Sequence, residues 1–325
     1  MGGWGAKFVA ADVASLDPNL VSEAFQDAEI SLLAGCAPCQ PFSTYSRGNR
    51  AGSQSDDWKL VRDFARLIKL TDPDLVTMEN VPPLADQKVF DELIEALDGH
   101  FIDYGIVQCA QLGVPQTRKR LVLVASKFGR ISVPAPEAKT TTVRDAIGDL
   151  PSIAAGQSNA DDPMHVSSRL SEKNMLRIRA SRPGGTWRDW PEDLRAACHI
   201  RSSGESYPSV YGRMSWDEPA PTMTTQCFGY GNGRFGHPVQ DRAISLREAA
   251  MLQTFPRDYE FIPPGEKVSF ASLGRLIGNA VPVCLGEAIA RSLVSHVNAF
   301  AHVIKSRHNP TTPSPQTAVA LAFAR

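Results

Sequence analysis

Short apolar runs and amphipathic stretches alternate along the first 130 positions. Ile30 to Gly35 is nearly continuous in apolar residues, which predicts a buried strand ending at Gly35. Residues 58–70 place Leu60, Phe64, Leu67 and Ile68 at helical spacing, and residues 88–97 do the same with Val89, Phe90, Leu93, Ile94 and Leu97. Asp74–Met78, Gly105–Val107 and Arg120–Val124 read as further strands. Apolar strands alternating with helices predict a largely parallel α/β sheet covered on both faces. The polar stretch from Ser43 to Asp57, rich in Ser, Gly, Asn and Arg, predicts a loop. From 131 to about 245 the chain is rich in Pro, Gly, Ser and Arg with little periodicity, which predicts a second, irregular domain. Helical patterning returns at 245–254 and 283–304, and a frayed tail is expected from Lys305. No internal repeat recurs at a solenoid period.

Composition narrows the class. Of 325 residues, 42% are hydrophobic and 21% charged, close to the globular average, which excludes wholesale disorder, a coiled coil and a collagen-like fibre. No run of 18 or more apolar residues occurs, and the N-terminus does not read as a secretory signal. Lys and Arg total 34 against 35 Asp and Glu, so a globally basic nucleic-acid binder is excluded. A local basic band is not: residues 112–136 carry five Lys or Arg and no acid, and residues 166–242 carry eleven against eight. The six cysteines, at 36, 39, 109, 198, 227 and 284, include one close pair, and they read as reduced thiols in a cytoplasm.

Five blocks carry candidate chemistry. In Gly35-Cys-Ala-Pro-Cys-Gln-Pro-Phe-Ser43 a strand runs into a cysteine-bearing loop, where ligands of α/β sheets gather. By itself this fits a redox pair, half a zinc site, a nucleophilic Cys39, or ordinary buried thiols. Glu79, in Met78-Glu-Asn-Val-Pro-Pro83, falls at a strand end, where a carboxylate can bond a ring nitrogen or simply be solvated. Arg118 and Arg120, in Pro115-Gln-Thr-Arg-Lys-Arg120, alternate by two and so share a face if they lie on a strand. Such a pair suits a phosphate or carbonyl oxygen, or else protects an edge strand. Arg247 to Pro256 reads as an amphipathic helix, and Gly278-Asn-Ala-Val-Pro282 as a turn into a helix.

In this order and spacing the blocks resemble those of the C5-cytosine DNA methyltransferases, over residues 8–300. Tyr211 to Thr225 resembles the end of that family's target-recognition region. The resemblance implies a Rossmann-like, mostly parallel S-adenosylmethionine-dependent methyltransferase sheet with a smaller irregular recognition domain. The implied segments are a catalytic domain at 1–130, a recognition domain at 131–272, a return to the catalytic domain at 273–304 and a disordered tail at 305–325. Residues 166–234 are expected to read the DNA sequence.

The implied reaction transfers a methyl group from S-adenosylmethionine to C5 of a cytosine flipped out of duplex DNA. Cys39 would add to C6, Glu79 would hold N3 and the exocyclic amine, Arg120 the O2 side, and Arg118 would support the site. The loop 43–57 would close over the DNA. For the donor, the resemblance implies Asp12 and Val13 after a short strand, Pro38, Leu60, Asn279, Ala280 and Val281. No metal is implied.

The sequence departs from the family in one place. No Phe-x-Gly-x-Gly-type donor loop precedes Asp12. The expectation is therefore a sheet lacking its first strands, through truncation, a mis-started frame or a split enzyme with a complementary N-terminal chain. Weak donor binding by this chain is expected. A bacterial or phage restriction-modification enzyme, cytoplasmic and associated with DNA, is the implied setting. The alternatives are a tRNA cytosine methyltransferase, for which Gln226-Cys-Phe-Gly229 is a partial match, and an inactive DNA-binding remnant.

Overall fold

The computed structural model describes residues 6–37, 58–136, 140–201, 208–263 and 265–307. Two compact units comprise them. The first draws on residues 1–107, 119–135 and 288–325, the second on 108–118 and 136–287. These edges differ from the segments expected at 1–130, 131–272 and 273–304: the 108–118 connection groups with the second unit, and the chain rejoins the first only at Ala288.

In the first unit, α1 (Pro18–Phe25) starts at Asp17, whose side chain accepts the Asn19 N–H, with Pro18 in the first turn. Strand β1 (Leu32–Gly35) is the next element, and α2 (Lys59–Thr71) is the one after it among the described residues. Helix α2 ends with Asp72 in the left-handed region (φ 46°), and Pro73 bars continuation. Then come β2 (Leu75–Asn80), α3 (Lys88–Glu95), β3 (Phe101–Gln108) and β4 (Lys119–Ser126). The sheet order is β1-β2-β4-β3. Val61, Phe64, Leu67 and Ile68 of α2 and Val89, Phe90 and Leu93 of α3 are buried in one core with Leu33, Val76, Met78, Leu121 and Leu123. At Gly35 any Cβ would stand 2.6 Å from the Phe64 ring, so glycine is what lets β1 approach α2 this closely.

Strands β1 and β2 are parallel, as expected, but β2 and β4 are antiparallel. The described sheet is therefore mixed. Residues 121–126 are buried throughout, and a strand covered on both faces has the same continuous apolar pattern whichever way its neighbour runs. No strand precedes Asp12 among the described residues; 6–12 are irregular.

The second unit has little regular structure. It holds α4 (Val143–Ile147), α5 (Glu172–Ala180), the single turn α6 (Ala197–Ile200), α7 (Leu246–Leu252) and α8 (Phe270–Asn279). Irregular backbone leaves carbonyls in need of donors, and buried arginines supply them. Arg213 bonds the carbonyls of Ile178, Ser181, His237 and Gln240 and pairs with Asp241. Arg242 forks onto Glu248 with both bonds at 2.7 Å, and Glu248 also accepts the Ser245 N–H in the capping box of α7. Burial raises the Glu248 pKa, but the Arg242 bond and charge overcome it and leave the net shift downward.

The block expected to turn into a helix instead closes one. Helix α8 runs through Gly278 and ends at Ala280, and α9 (Val283–Ala299) begins three residues later. The sequence pattern hides α8 because Gly274 and Gly278 have poor helix propensity. Both are buried, and a Cβ at Gly278 would overlap the backbone of Thr224 and Thr225. The helix expected at 283–304 is broken at Phe300, and α10 (Ala301–Arg307) carries helix past the expected tail boundary at 305. By length and composition 270–299 would pass for a membrane span, with mean hydropathy 1.2. The break at 280–282 interrupts it, and Leu273 and Ile277 are core residues.

Candidate active site

Two charged side chains meet where β2 ends and β4 begins. Glu79 lies opposite Val122, and Arg120 is two residues before Val122, so the pleat puts Glu79 and Arg120 on one face, one step apart. Arg120 Nε stands 2.7 Å from Glu79 Oε1, and both side chains are close to nine-tenths buried (13% and 11% exposed). Arg120 Nη1 also donates to the Lys119 carbonyl at 2.7 Å.

Asn80, next along β2, is 2% exposed. Its Nδ2 donates to the Ala37 carbonyl at 3.0 Å, and its Oδ1 accepts the Val81 N–H at 2.9 Å. Ala37 is the last described residue before Pro38 and Cys39, which, like the 43–57 loop, lie outside the described residues. Asn80 thus anchors the chain two positions before Cys39. Cys36 follows β1. The residue as a whole is exposed, yet its thiol lies among protein atoms. Desolvation, then the Glu79 charge, push it up to about 12, and the Glu79 backbone and Arg120 offset this only in part. Cys36 therefore stays a thiol at neutral pH.

Arg118 does not share the face of Arg120. It precedes β4, is 3% exposed, and turns its guanidinium onto backbone carbonyls of the second unit: Met223 at 3.0 Å, Gly278 at 3.5 Å and Ala280 at 3.3 Å. The alternation rule fails because the strand starts at Lys119.

Beside Arg118 is a network that the sequence reading missed. Gln116 is fully buried; its Nε2 donates to Leu252 O (2.6 Å) and Gln253 Oε1 (2.8 Å), and its Oε1 accepts the Met223 N–H (2.8 Å). Gln253 in turn donates to Ile277 O (2.6 Å) and Ala280 O (3.2 Å). The Gln-x-Arg, Gln-Thr-Phe and Gly-Asn-Ala blocks are thus one hydrogen-bonded assembly. The available signal was two glutamines inside motif blocks, in a chain where buried polar side chains must be paired.

Of the expected donor residues, Asp12 is exposed and caps the turn Val13–Ser15 by accepting the Ala14 N–H at 3.0 Å. Val13 and Leu60 are half-buried. Arg66 of α2 donates to the Val13 carbonyl at 3.0 Å, tying this turn to the helix that carries Leu60. Asn279, Ala280 and Val281 lie in the second unit, Asn279 exposed and the other two half-buried. Cys227, of the partial tRNA-type match, is fully buried in a core cluster, and its thiol is pushed up to about 12 by burial.

A profile of the family described as C-5 cytosine-specific DNA methylase matches residues 4–295. The chain is 48% identical over 295 residues to the Type II methylase M.HgiDII of Herpetosiphon aurantiacus, across 88% of this chain and 82% of that protein. It is 30% identical over 293 residues to the Type II methyltransferase M1.HphI of Haemophilus parahaemolyticus, across 87% of this chain and 73% of that one. Among solved structures, an E. coli prophage protein described as a DNA modification methyltransferase superposes with a TM-score of 0.65 at 21% identity, covering 89% of this chain and 85% of its own. That last likeness bears on the fold alone.

Proposed function

The chain belongs to the C-5 cytosine-specific DNA methylase family, and from that premise we propose that Cys39 is the nucleophile of a methyl transfer to cytosine C5 in duplex DNA. The family makes it a DNA (cytosine-5)-methyltransferase of the restriction-modification type. S-adenosylmethionine, the methyl donor of such enzymes, supplies an electrophilic methyl group. Asp12, Val13, Pro38 and Leu60, with Asn279, Ala280 and Val281, are the residues proposed to hold it.

The observation that carries the reading is the Glu79–Arg120 pair at the strand ends, beside the segment leading to Cys39. Cytosine offers each member a partner of the right kind. Its O2 is an acceptor for the Arg120 guanidinium, and its exocyclic amine is a donor for the Glu79 carboxylate. Addition of the Cys39 thiolate to C6 moves electron density toward C5 and onto the ring N3–C2–O2 system. Arg120 stabilises that charge at O2, and Glu79 does so in its protonated form, donating its O–H to N3 while its other oxygen accepts from the amine, in a site screened from water. After C5 has taken the methyl group, with a neutral thioether left behind on the donor side, H5 passes to a base and the C6–Sγ bond breaks to expel the Cys39 thiolate, which restores the aromatic ring. Because C5 and C6 lie inside the stack of a duplex, the target nucleotide is extruded to reach Cys39. Arg118, bonded to three carbonyls, acts by holding the second unit's backbone rather than by touching the base.

The test uses duplex DNA and tRNA offered in parallel with labelled donor, and a duplex containing 5-fluorocytosine. Fluorine at C5 removes the abstractable proton, so a covalent protein–DNA adduct should persist. The expected result is label in DNA only, a trapped adduct, and loss of both in Cys39→Ser. Retained transfer by Cys39→Ser refutes the nucleophile assignment, and label in tRNA alone refutes the DNA substrate.

A further inference from the structure

Helix α7 ends in a turn whose geometry favours glycine. The Thr254 N–H donates to the Met251 carbonyl at 2.8 Å, and the Phe255 N–H to the Ala250 carbonyl at 3.0 Å. These are the two bonds of a Schellman cap, with Gln253 as the C-cap and Thr254 as the residue after it. That residue must be left-handed, and Thr254 is, with φ at 62°. Glycine usually stands at this place, because the left-handed region crowds a Cβ and a β-branched side chain suffers most. The turn therefore carries backbone strain that a glycine would remove, and such strain persists only where the surroundings hold it.

The hydroxyl shows what holds it. Thr254 Oγ1 donates to the Gln253 carbonyl at 2.7 Å and accepts the Cys284 N–H at 3.0 Å. The Gln253 carbonyl also accepts the Val283 N–H at 3.3 Å. Val283 and Cys284 open α9, where the first N–H groups of a helix have no partner within it. A Ser, Thr, Asp or Asn just before a helix ordinarily supplies the side-chain acceptor. Pro282 stands there instead; its carbonyl takes the Leu285 and Gly286 N–H groups, and its ring offers no acceptor. Thr254 supplies one from 30 positions away. The end of α7 thus caps the start of α9.

The same turn grips the chain ahead of α9. Gln253 Nε2 bonds the carbonyls of Ile277 and Ala280. Asn279, Ala280 and Val281 are therefore held from both sides, by the Gln253 side chain before and within them and by the Gln253 carbonyl and Thr254 hydroxyl after them. All of these residues belong to the second unit. We propose that Thr254 is a positioning residue: its hydroxyl clamps the start of α9 and so presents Asn279–Val281 to S-adenosylmethionine. The left-handed backbone is what aims the hydroxyl at Cys284. The inference rests on the assignment of those three residues to the donor, made above.

Three substitutions separate the hydroxyl from the strain. Thr254→Gly removes both, Thr254→Val removes the hydroxyl and keeps the strain, and Thr254→Ser keeps the hydroxyl. The full chain and each variant are compared by urea midpoint, by amide hydrogen exchange across 283–286, and by equilibrium dialysis against labelled S-adenosylmethionine up to millimolar concentration. Thr254→Gly and Thr254→Val should both speed exchange of the Cys284 amide and weaken donor binding about fivefold, the effect of losing one helix cap. Their urea midpoints should differ, with the glycine variant close to the parent and the valine variant below it. Thr254→Ser should restore exchange protection and bring donor affinity to within about twofold of the parent. Donor affinity that instead follows the midpoints, intact with glycine and weak with valine, overturns the proposal and makes Thr254 a matter of stability alone. So does unchanged affinity in both, or a serine variant as weak as the glycine one. A parent chain that takes up no donor, with Cys284 exchange still accelerated in Thr254→Gly, would sink the donor assignment of Asn279–Val281 and leave the clamp standing.

Discussion

Asn80→Ala separates the anchoring of the Cys39 segment from general stability. The native side chain makes two hydrogen bonds, one across to the Ala37 carbonyl and one to the Val81 N–H, at 3.0 and 2.9 Å. At about 0.5–1.5 kcal/mol each, with an added penalty for leaving a half-buried carbonyl and N–H unmet, the loss is about 2–3 kcal/mol of stability. Part of that energy holds residue 37, and hence the approach to Cys39, in register with the end of β2. Releasing it should lower kcat by about tenfold or more, because reacting atoms must be held within a fraction of an ångström. Asn80→Asp isolates the first bond: it keeps an acceptor for Val81 but sets a carboxylate oxygen against the Ala37 carbonyl. Urea unfolding should rank the parent above both variants. Labelled methyl transfer, at a temperature where all three are folded, should show kcat falling in both while KM for the donor changes little. A variant destabilised as stated but with kcat within about twofold of the parent would refute the anchoring role and leave Asn80 as a packing residue.

Further outcomes follow from other sites. Burial holds His237 at about 4 against an ordinary 6.5, so between those values the unfolded chain binds the extra proton. Stability should be full above pH 6.5 and fall by about 3 kcal/mol as pH drops to 4. His237→Asn should flatten urea midpoints measured over that window, and an equally steep curve would contradict the assignment. Gly278→Ala drives a methyl group into the Thr224–Thr225 backbone and should cost about 3 kcal/mol; a melting temperature equal to the parent's would show that the helix can shift aside. Cys36→Ala should methylate DNA within a few-fold of the parent, and Cys36 should alkylate slowly at pH 8 because its thiol titrates at about 12. Loss of transfer in Cys36→Ala would point to it as a second functional thiol.

Much of the first unit was legible because its elements are long and periodic. The spacing of Phe64, Leu67 and Ile68 marks one face of α2, and the apolar run 121–124 marks β4. Strand direction was not legible, since β4 is buried on both faces and its pattern carries no directional information. Helix α8 was hidden for the opposite reason. Its glycines are poor helix formers chosen for close approach to Thr224 and Thr225, a requirement that exists only after folding. Glu79 and Arg120 stood out as charged residues at strand ends. That Arg118 points elsewhere depended on where β4 begins, a matter of one residue.

By itself, then, the order of local blocks determined the family and the residue types proposed to carry its reaction, because reaction chemistry demands particular functional groups at particular strand ends. Tertiary structure decided which of those groups meet. The Glu79–Arg120 pair is set by β2–β4 register across about forty residues of chain. The Gln116–Gln253 bond spans 137 positions. The Thr254 hydroxyl meets the Cys284 N–H across 30 positions, a cap that no local pattern contains. Hydrogen-bond satisfaction is a property of the folded surroundings, so the parts of this protein that depend on it became readable only in three dimensions.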